Sequence, residues 1–91
     1  MLIVSYDIKD DKLRTKFSKF IKKYGYRLQY SVFRIDNSKR ILGNILREIA
    51  NTFEKRFDQS DSVMVIDICE HCKITRWGYA KNDESSVIVV N

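Results

Sequence analysis

The sequence contains no proline and few other residues that interrupt secondary structure. Its 91 residues include three glycines, two cysteines and one histidine. Without proline or glycine-rich stretches, no segment is typical of a flexible linker or a low-complexity tail, and the sequence shows no internal repeat. We therefore expect one domain whose elements are joined by short connections.

Long hydrophobic runs are also missing. No run approaches the ~20 apolar residues that a membrane span needs, and residues 1–4 are too few for the core of a signal peptide. We therefore expect a cytoplasmic protein that does not enter a membrane. In that compartment Cys69 and Cys72 are expected to be reduced thiols.

The motif formed by Cys69, His71 and Cys72 offers at most three ligands for zinc. A structural zinc site takes four ligands, and the sequence has no second cysteine pair. Two chains could share a zinc ion, and a carrier of zinc or copper would use the same residues. The expectation is a reduced pair in a turn, with no zinc.

Basic residues outnumber acidic residues by 17 to 12, which gives a net charge of +5. Apolar residues make up 44% and charged residues 32% of the chain, as in ordinary soluble domains rather than disordered ones. The positive field favours a polyanionic partner, and nucleic acid is the first candidate. A merely solvated surface remains the alternative.

Hydrophobic periodicity predicts five elements in the order β-α-β-α-β, followed by a further C-terminal strand. They span residues 2–8, 10 or 11–24, 27–35, 39–57, 63–68 and 85–91. Gly25 is the predicted C-cap of the first helix. The aromatic residues at helical spacing are expected to pack in the core: Phe17, Phe20, Tyr24, Phe53 and Phe57.

Strands that alternate with amphipathic helices indicate an α+β fold, a split βαβ sandwich with the helices on one face of a small sheet. The other face would be bare and partly apolar, which is unfavourable for a monomer. We therefore expect a homodimer packed through the two sheet faces. The last strand could join the edge of its own sheet or of its partner's.

Several short motifs together resemble the CRISPR-associated Cas2 family. They are YDI at the end of the first strand, KKYG at the end of the first helix, the segment RLQYSVF, and CEHC after a later strand. The resemblance covers residues 1–79 and implies a ferredoxin-like βαββαβ domain, with 27–35 broken into two strands near Tyr30 or Ser31. Residues 80–91 would then be a C-terminal strand extension that is exchanged with the partner subunit or contacts the Cas1 integrase.

The resemblance also implies a function. It predicts a CRISPR adaptation protein that bridges Cas1 integrase dimers and binds prespacer duplex DNA through its phosphates during spacer acquisition. A metal-dependent endonuclease activity on single-stranded RNA or double-stranded DNA would accompany this role, which does not itself require catalysis. The alternative is a stand-alone ferredoxin-like ribonuclease of the toxin type.

Three carboxylates follow the first strand, and they call for different explanations. Asp10 and Asp11 precede a helix, where they can cap free N–H groups. Asp7 ends the strand and matches the family's strand-end aspartate, to which the resemblance assigns catalysis and metal binding. One carboxylate is a poor Mg²⁺ or Mn²⁺ site, but two copies of Asp7 facing each other across a dimer axis would suffice. Ser31 matches a family serine that could support the metal through water.

Basic residues near the first helix and the following strands are predicted to contact nucleic acid. They are Lys9, Lys12, Arg14, Lys16, Lys19, Arg27 and Arg34. Such contacts read the phosphate backbone and imply no base recognition. Four further basic residues are expected to be merely solvated: Lys22, Lys23, Lys55 and Arg56.

Overall fold

The computed structural model describes residues 1–36, 38–69 and 71–77 of the chain. Strands and α-helices follow one another in the order β-α-β-β-α-β. The strands are β1 (Leu2–Asp7), β2 (Tyr26–Gln29), β3 (Val32–Ile35) and β4 (Ser62–Asp67), and the helices are α1 (Asp11–Lys22) and α2 (Ser38–Glu48). The predicted α+β class is confirmed.

The four strands form one antiparallel sheet in the order β2-β3-β1-β4. The first strand is therefore interior, with Val4 opposite Phe33 on one side and Val65 on the other. Each helix joins two strands that have one other strand between them, which is the ferredoxin-like arrangement. A turn at Tyr30 and Ser31 separates β2 from β3, so the predicted break in this segment is confirmed.

Helix α1 begins where the sequence predicts, because Asp10 caps it. The Asp10 carboxylate accepts a hydrogen bond of 2.8 Å from the backbone N–H of Leu13. This bond satisfies one of the donors that the first turn of a helix leaves free. The buried face of the helix consists of Leu13, Phe17, Phe20 and Ile21.

Gly25 follows α1 for a reason other than the predicted C-cap. The helix ends at Lys22, and Gly25 donates a backbone hydrogen bond of 3.2 Å to the carbonyl of Ile21. A Cβ atom at Gly25 would lie 2.0 Å from the carbonyl oxygen of Arg34 in β3. Glycine is thus required by the close approach of two backbones rather than by left-handed geometry.

The second helical segment is less regular than its apolar pattern predicts. The α-helix ends at Glu48 and continues as a π-helical turn, Ile49–Phe53, and a 3₁₀ turn, Glu54–Arg56. The helical segment predicted over 39–57 is present, but its second half is not α-helical. A change of helical pitch rotates the side chains that follow it about the helix axis. Phe53, at the end of the π-helical turn, is 2% exposed.

The core lies between the helices and one face of the sheet, and aromatic rings fill much of it. Phe17 lies at its centre, with ring centroids of Tyr6 at 4.9 Å, Phe53 at 5.0 Å and Phe20 at 5.9 Å. Tyr24 and Phe57 pack against this cluster from its margin. The prediction that the helix aromatics pack in the core is confirmed.

The opposite face of the sheet carries no helix. Burial alternates along β1, where Leu2, Val4 and Tyr6 are buried and the residues between them are not. On the bare face, Ile3 of β1 is opposite Ile66 of β4. Several apolar side chains on this face are solvent-exposed, with Met64 56% and Ile66 39% exposed.

Beyond β4 the chain forms a disulfide. The Cα atoms of Cys69 and Cys72 lie 5.4 Å apart and their sulfur atoms are bonded, and that separation is within the range that a disulfide bridges. The expectation of two reduced thiols is therefore wrong.

The predicted C-terminal strand and the extension 80–91 lie outside the described residues. No helix among the described residues is long and apolar enough to span a membrane.

Candidate nucleic-acid interface and metal position

The C-terminal end of β1 opens into a groove of about 670 Å³. The groove is bounded by β1, by one side of α1 and by the turn between β2 and β3. Its walls carry the Asp7 carboxylate and five cationic side chains, those of Lys9, Arg14, Lys19, Lys22 and Arg27. A negatively charged ligand that entered it would meet positive charge on several sides.

Asp7 ends β1 on the bare side of the sheet, in the same alternating series as Ile3 and Ser5. Its side chain is 66% exposed, and its Oδ1 atom lies 3.3 Å from the Nζ atom of Lys9. Exposed ion pairs of this kind contribute only about 0–1 kcal/mol. The carboxylate is therefore accessible, and a divalent cation would displace the lysine at small cost.

The neighbouring carboxylates are engaged in the fold. Asp10 caps α1, and Asp11 accepts a hydrogen bond from Arg14. Asp61 accepts hydrogen bonds of 2.9 Å from the backbone N–H groups of Lys9 and Asp58. Asp10 and Asp61 thus have structural roles. The Asp11 side chain is 87% exposed, and its pair with Arg14 is a surface ion pair like that of Asp7 with Lys9.

Within the described ranges, no group of three or more acidic, histidine or cysteine residues could hold a metal ion. Among the described residues that line the groove, Asp7 supplies the one carboxylate. Mg²⁺ prefers oxygen ligands in octahedral geometry and retains several waters, so two carboxylates with waters fit it and one alone fits it poorly. A second copy of Asp7 is the addition that the predicted metal site requires.

Ser60 lowers the pKa of Asp58 in the loop that precedes β4. The hydroxyl and the backbone N–H of Ser60 both donate to Asp58 Oδ1, at 2.8 Å and 2.9 Å, and so stabilise the charged form of the carboxylate. The same loop supplies Asp61 to the backbone of Lys9. The loop therefore fixes the backbone just after Asp7.

Arg14 has a structural task in addition to its charge. Its guanidinium donates to the carbonyl oxygens of Ile8 at 3.0 Å and of Lys9 at 3.2 Å, and it also pairs with Asp11. These bonds hold the connection between β1 and α1. Phosphate contact by Arg14 stays a prediction. The N–H groups that bond to Ile8, Lys9 and Asp11 are not available to a phosphate.

Arg27 is held rigidly in the groove wall. Its Nη2 atom donates to the Ser18 hydroxyl at 3.0 Å, and its guanidinium lies over the Phe33 ring at 5.2 Å. The Nε atom is buried and has no hydrogen-bond partner among the described residues. A guanidinium fixed in this way loses little conformational entropy when it binds an anion.

The groove contains only part of the predicted basic surface. Lys12 and Lys16 line an adjoining depression of about 340 Å³, and Lys19 lines both. Arg34 lies elsewhere, opposite Ile3 on the bare face, and its Nε atom donates to Asp36 at 3.1 Å. The structure thus brings Lys9, Arg14, Lys19 and Arg27 together with Asp7 and leaves Arg34 outside the groove.

The groove also includes residues that the sequence did not identify as part of it. Lys22 was expected to be merely solvated, yet it lines the wall together with Lys19. Lys22 lies three residues after Lys19 on α1 and therefore on the same side of the helix, which is the signal that could have identified Lys22. Tyr30, in the turn between β2 and β3, also lines the groove.

Ser31 lies beside Tyr30 in the groove wall. Its carbonyl oxygen accepts a hydrogen bond of 3.1 Å from the backbone N–H of Tyr6. This bond ties the β2–β3 turn to the residue just before Asp7. The predicted support of a metal by the Ser31 hydroxyl stays a prediction.

Comparison with known proteins gives concordant results. The family described as CRISPR associated protein Cas2 matches residues 1–76, which include the whole groove. A protein of Methanospirillum hungatei named CRISPR-associated endoribonuclease Cas2 2 is 33% identical over 90 residues, or 97% of each chain. One of Archaeoglobus fulgidus named CRISPR-associated endoribonuclease Cas2 1 is 31% identical over 74 residues, covering 80% of this chain and 76% of the other.

A solved structure shares the fold. The crystal structure of a hypothetical protein from Thermus thermophilus superimposes with a TM-score of 0.72 at 26% sequence identity. The match covers 88% of this chain and 92% of that one. The similarity is therefore not confined to one motif.

Proposed function

Because the chain belongs to the CRISPR-associated Cas2 family, we propose that it acts in CRISPR adaptation as a homodimer that binds nucleic acid through its phosphates. In that role it bridges Cas1 integrase dimers and holds prespacer duplex DNA. The observation that carries the proposal is the groove, which combines five cationic side chains with one accessible carboxylate. Its charge suits a phosphate backbone and requires no base sequence.

The bare sheet face supports the homodimer. Met64 is 56% and Ile66 39% exposed, and Ile3 lies beside Ile66. Packing two such faces together would remove this apolar surface from water. Asp7 lies on the same side of β1 as Ile3. A two-fold axis that passes close to the C-terminal end of β1 would bring the two Asp7 side chains toward each other.

A metal-dependent nuclease activity is the second part of the proposal. The names of the relatives, which call them endoribonucleases, favour RNA as the cleaved polymer. Two Asp7 carboxylates would hold Mg²⁺ or Mn²⁺, and a bound metal would supply an activated water and neutralise phosphate charge. When the metal binds Asp7, Lys9 would leave the carboxylate and contact a phosphate of the nucleic acid. The other cations of the groove would orient the phosphodiester.

The substitution Asp7→Asn separates binding from cleavage. We expect it to reduce divalent-metal-dependent cleavage of single-stranded RNA by at least about 100-fold, the upper end of what removal of a group supporting a metal costs. Duplex binding, measured by fluorescence anisotropy, and co-purification with Cas1 should be unchanged. The control is Asp67→Asn, which makes the same charge change at the opposite end of the sheet.

The outcomes distinguish the candidate functions. Unchanged cleavage in the Asp7→Asn protein would refute a metal at this position. Loss of spacer acquisition from an assembled Asp7→Asn complex would show that adaptation itself needs the carboxylate. A protein that cleaves RNA and arrests growth, but neither binds Cas1 nor lies beside a CRISPR array, would instead be a stand-alone ribonuclease.

A further inference from the structure

Tyr30 is the most exposed large hydrophobic side chain of the described residues. It is 86% exposed, whereas Tyr6 is 5% and Phe33 is 0% exposed. It occupies the two-residue turn between β2 and β3. Tight hairpin turns favour glycine, asparagine and aspartate, so neither turn geometry nor burial explains an aromatic ring here.

The position of this turn beside the strand end is fixed. Ser31, the other turn residue, accepts the backbone hydrogen bond from Tyr6, which immediately precedes Asp7. Tyr30 therefore lies in the same groove as the carboxylate that the proposed function places at the scissile phosphate. Lys19, Lys22 and Arg27 line that groove as well.

This combination matches what a single strand of nucleic acid requires. Proteins that bind single strands pair a cationic path for the phosphates with aromatic rings on which bases stack. In a duplex each base is already stacked and paired, so its face is not accessible to a side chain. A ring beside a cationic groove thus discriminates between an unpaired strand and a duplex.

We infer that Tyr30 stacks on a base of single-stranded RNA bound in the groove, next to the phosphodiester at Asp7. Tyr30 is then the residue that makes the groove prefer single strands, while duplex DNA depends on the cations alone. This inference rests on the proposed function and adds to it a determinant of the substrate class. Because every base has a π-face, stacking of this kind tolerates any sequence.

The test compares single-stranded and duplex binding by substitution of Tyr30. Dissociation constants are measured by fluorescence anisotropy in chelator, so that no cleavage occurs, with a labelled single-stranded oligoribonucleotide and a DNA duplex of the same length. We expect Tyr30→Ala to weaken single-strand binding by about 5- to 150-fold, the usual range for loss of one base–aromatic stack. Duplex affinity should change by less than two-fold, and Tyr30→Phe should behave as the unmodified protein.

A matched control is Trp77→Ala. Trp77 is 82% exposed but does not line the groove, so its removal should leave both affinities within two-fold of the unmodified protein. An oligoribonucleotide of abasic residues supplies a second control, because its phosphates remain and its bases are gone. The Tyr30→Ala protein should bind this probe as tightly as the unmodified protein does.

Contrary results separate the inference from its premise. If Tyr30→Ala leaves single-strand affinity within two-fold, or weakens both ligands equally, the stacking role is wrong while the cationic groove stands. If the unmodified protein binds neither ligand, the proposed function fails and the inference fails with it. Misfolding should not obscure the result. Tyr30 is 86% exposed, so the unfolding midpoint of the Tyr30→Ala protein should hardly differ from that of the unmodified protein.

Discussion

Lys19 offers the most direct test of the proposed phosphate contacts. It lines both the groove beside Asp7 and the adjoining depression that contains Lys12 and Lys16. A duplex lying over this surface would therefore pass close to its ammonium group. We predict that Lys19→Ala weakens duplex binding and reduces the dependence of that binding on salt.

The expected magnitude follows from counterion release. Each phosphate contact contributes about 0.9 to the slope of log affinity against log salt, and a homodimer that lacks Lys19 loses two contacts, so the slope should fall by about 1.8. When salt is raised from about 50 to 200 mM, the duplex affinity of the Lys19→Ala protein should therefore fall by a factor about 12-fold smaller than the factor for the unmodified protein. The assay is anisotropy of a labelled DNA duplex over a salt series.

Lys55→Ala is the matched control. Lys55 is exposed in the 3₁₀ turn after α2, so its substitution removes the same charge at a position away from the groove. A slope that is unchanged in Lys19→Ala would refute the phosphate contact. A fall of about 0.9 would mean that one protomer alone contacts the duplex. Equal effects of the two substitutions would show that net charge, rather than the groove, governs binding.

Three further predictions concern stability and are measured by urea unfolding. Gly25→Ala should destabilise the fold by about 1–3 kcal/mol or more, because the new methyl group would overlap a carbonyl of β3. Gly43→Ala is its control, since a Cβ there meets nothing within 4 Å and alanine should stabilise the helix by about 1 kcal/mol. Asp10→Ala should cost about 0.5–2 kcal/mol through loss of the α1 cap. Replacing Cys69 and Cys72 by serine should cost at most about 2 kcal/mol, because the bond closes a very short loop.

Each of these stability predictions has a result that would contradict it. A stable Gly25→Ala protein would mean that the connection between α1 and β2 can move away from β3. An Asp10→Ala protein as stable as the unmodified one would show that water replaces the cap without loss. A cost well above 2 kcal/mol for the serine pair would show that the disulfide organises more than its own turn.

The elements of the fold could largely be predicted, because apolar periodicity follows burial. The stripe of Leu13, Phe17, Phe20 and Ile21 is the buried face of α1. The break between β2 and β3 could not be found in this way, since Tyr30 and Ser31 continue a strand-like composition without glycine, proline, asparagine or aspartate. It came from the family resemblance.

The candidate site was predicted less completely. Asp7 was singled out because it ends a strand without a helix to cap, and its role at a metal came from the family resemblance. Lys22 was assigned to solvent because periodicity shows which side of a helix is buried, whereas the groove depends on how α1 lies beside β2. Arg34 was wrongly expected beside the other basic residues, because the composition of a strand does not show which face of the sheet each side chain occupies.

The interior position of β1 in the sheet also has a consequence during translation. This strand is made before both of its neighbours, β3 and β4, which end at Ile35 and Asp67. At roughly 5–20 residues per second, the ribosome delivers the second neighbour about 2–6 s after the first. Until then one side of β1 has no partner, so the nascent chain spends seconds with an open strand edge that the finished protein covers.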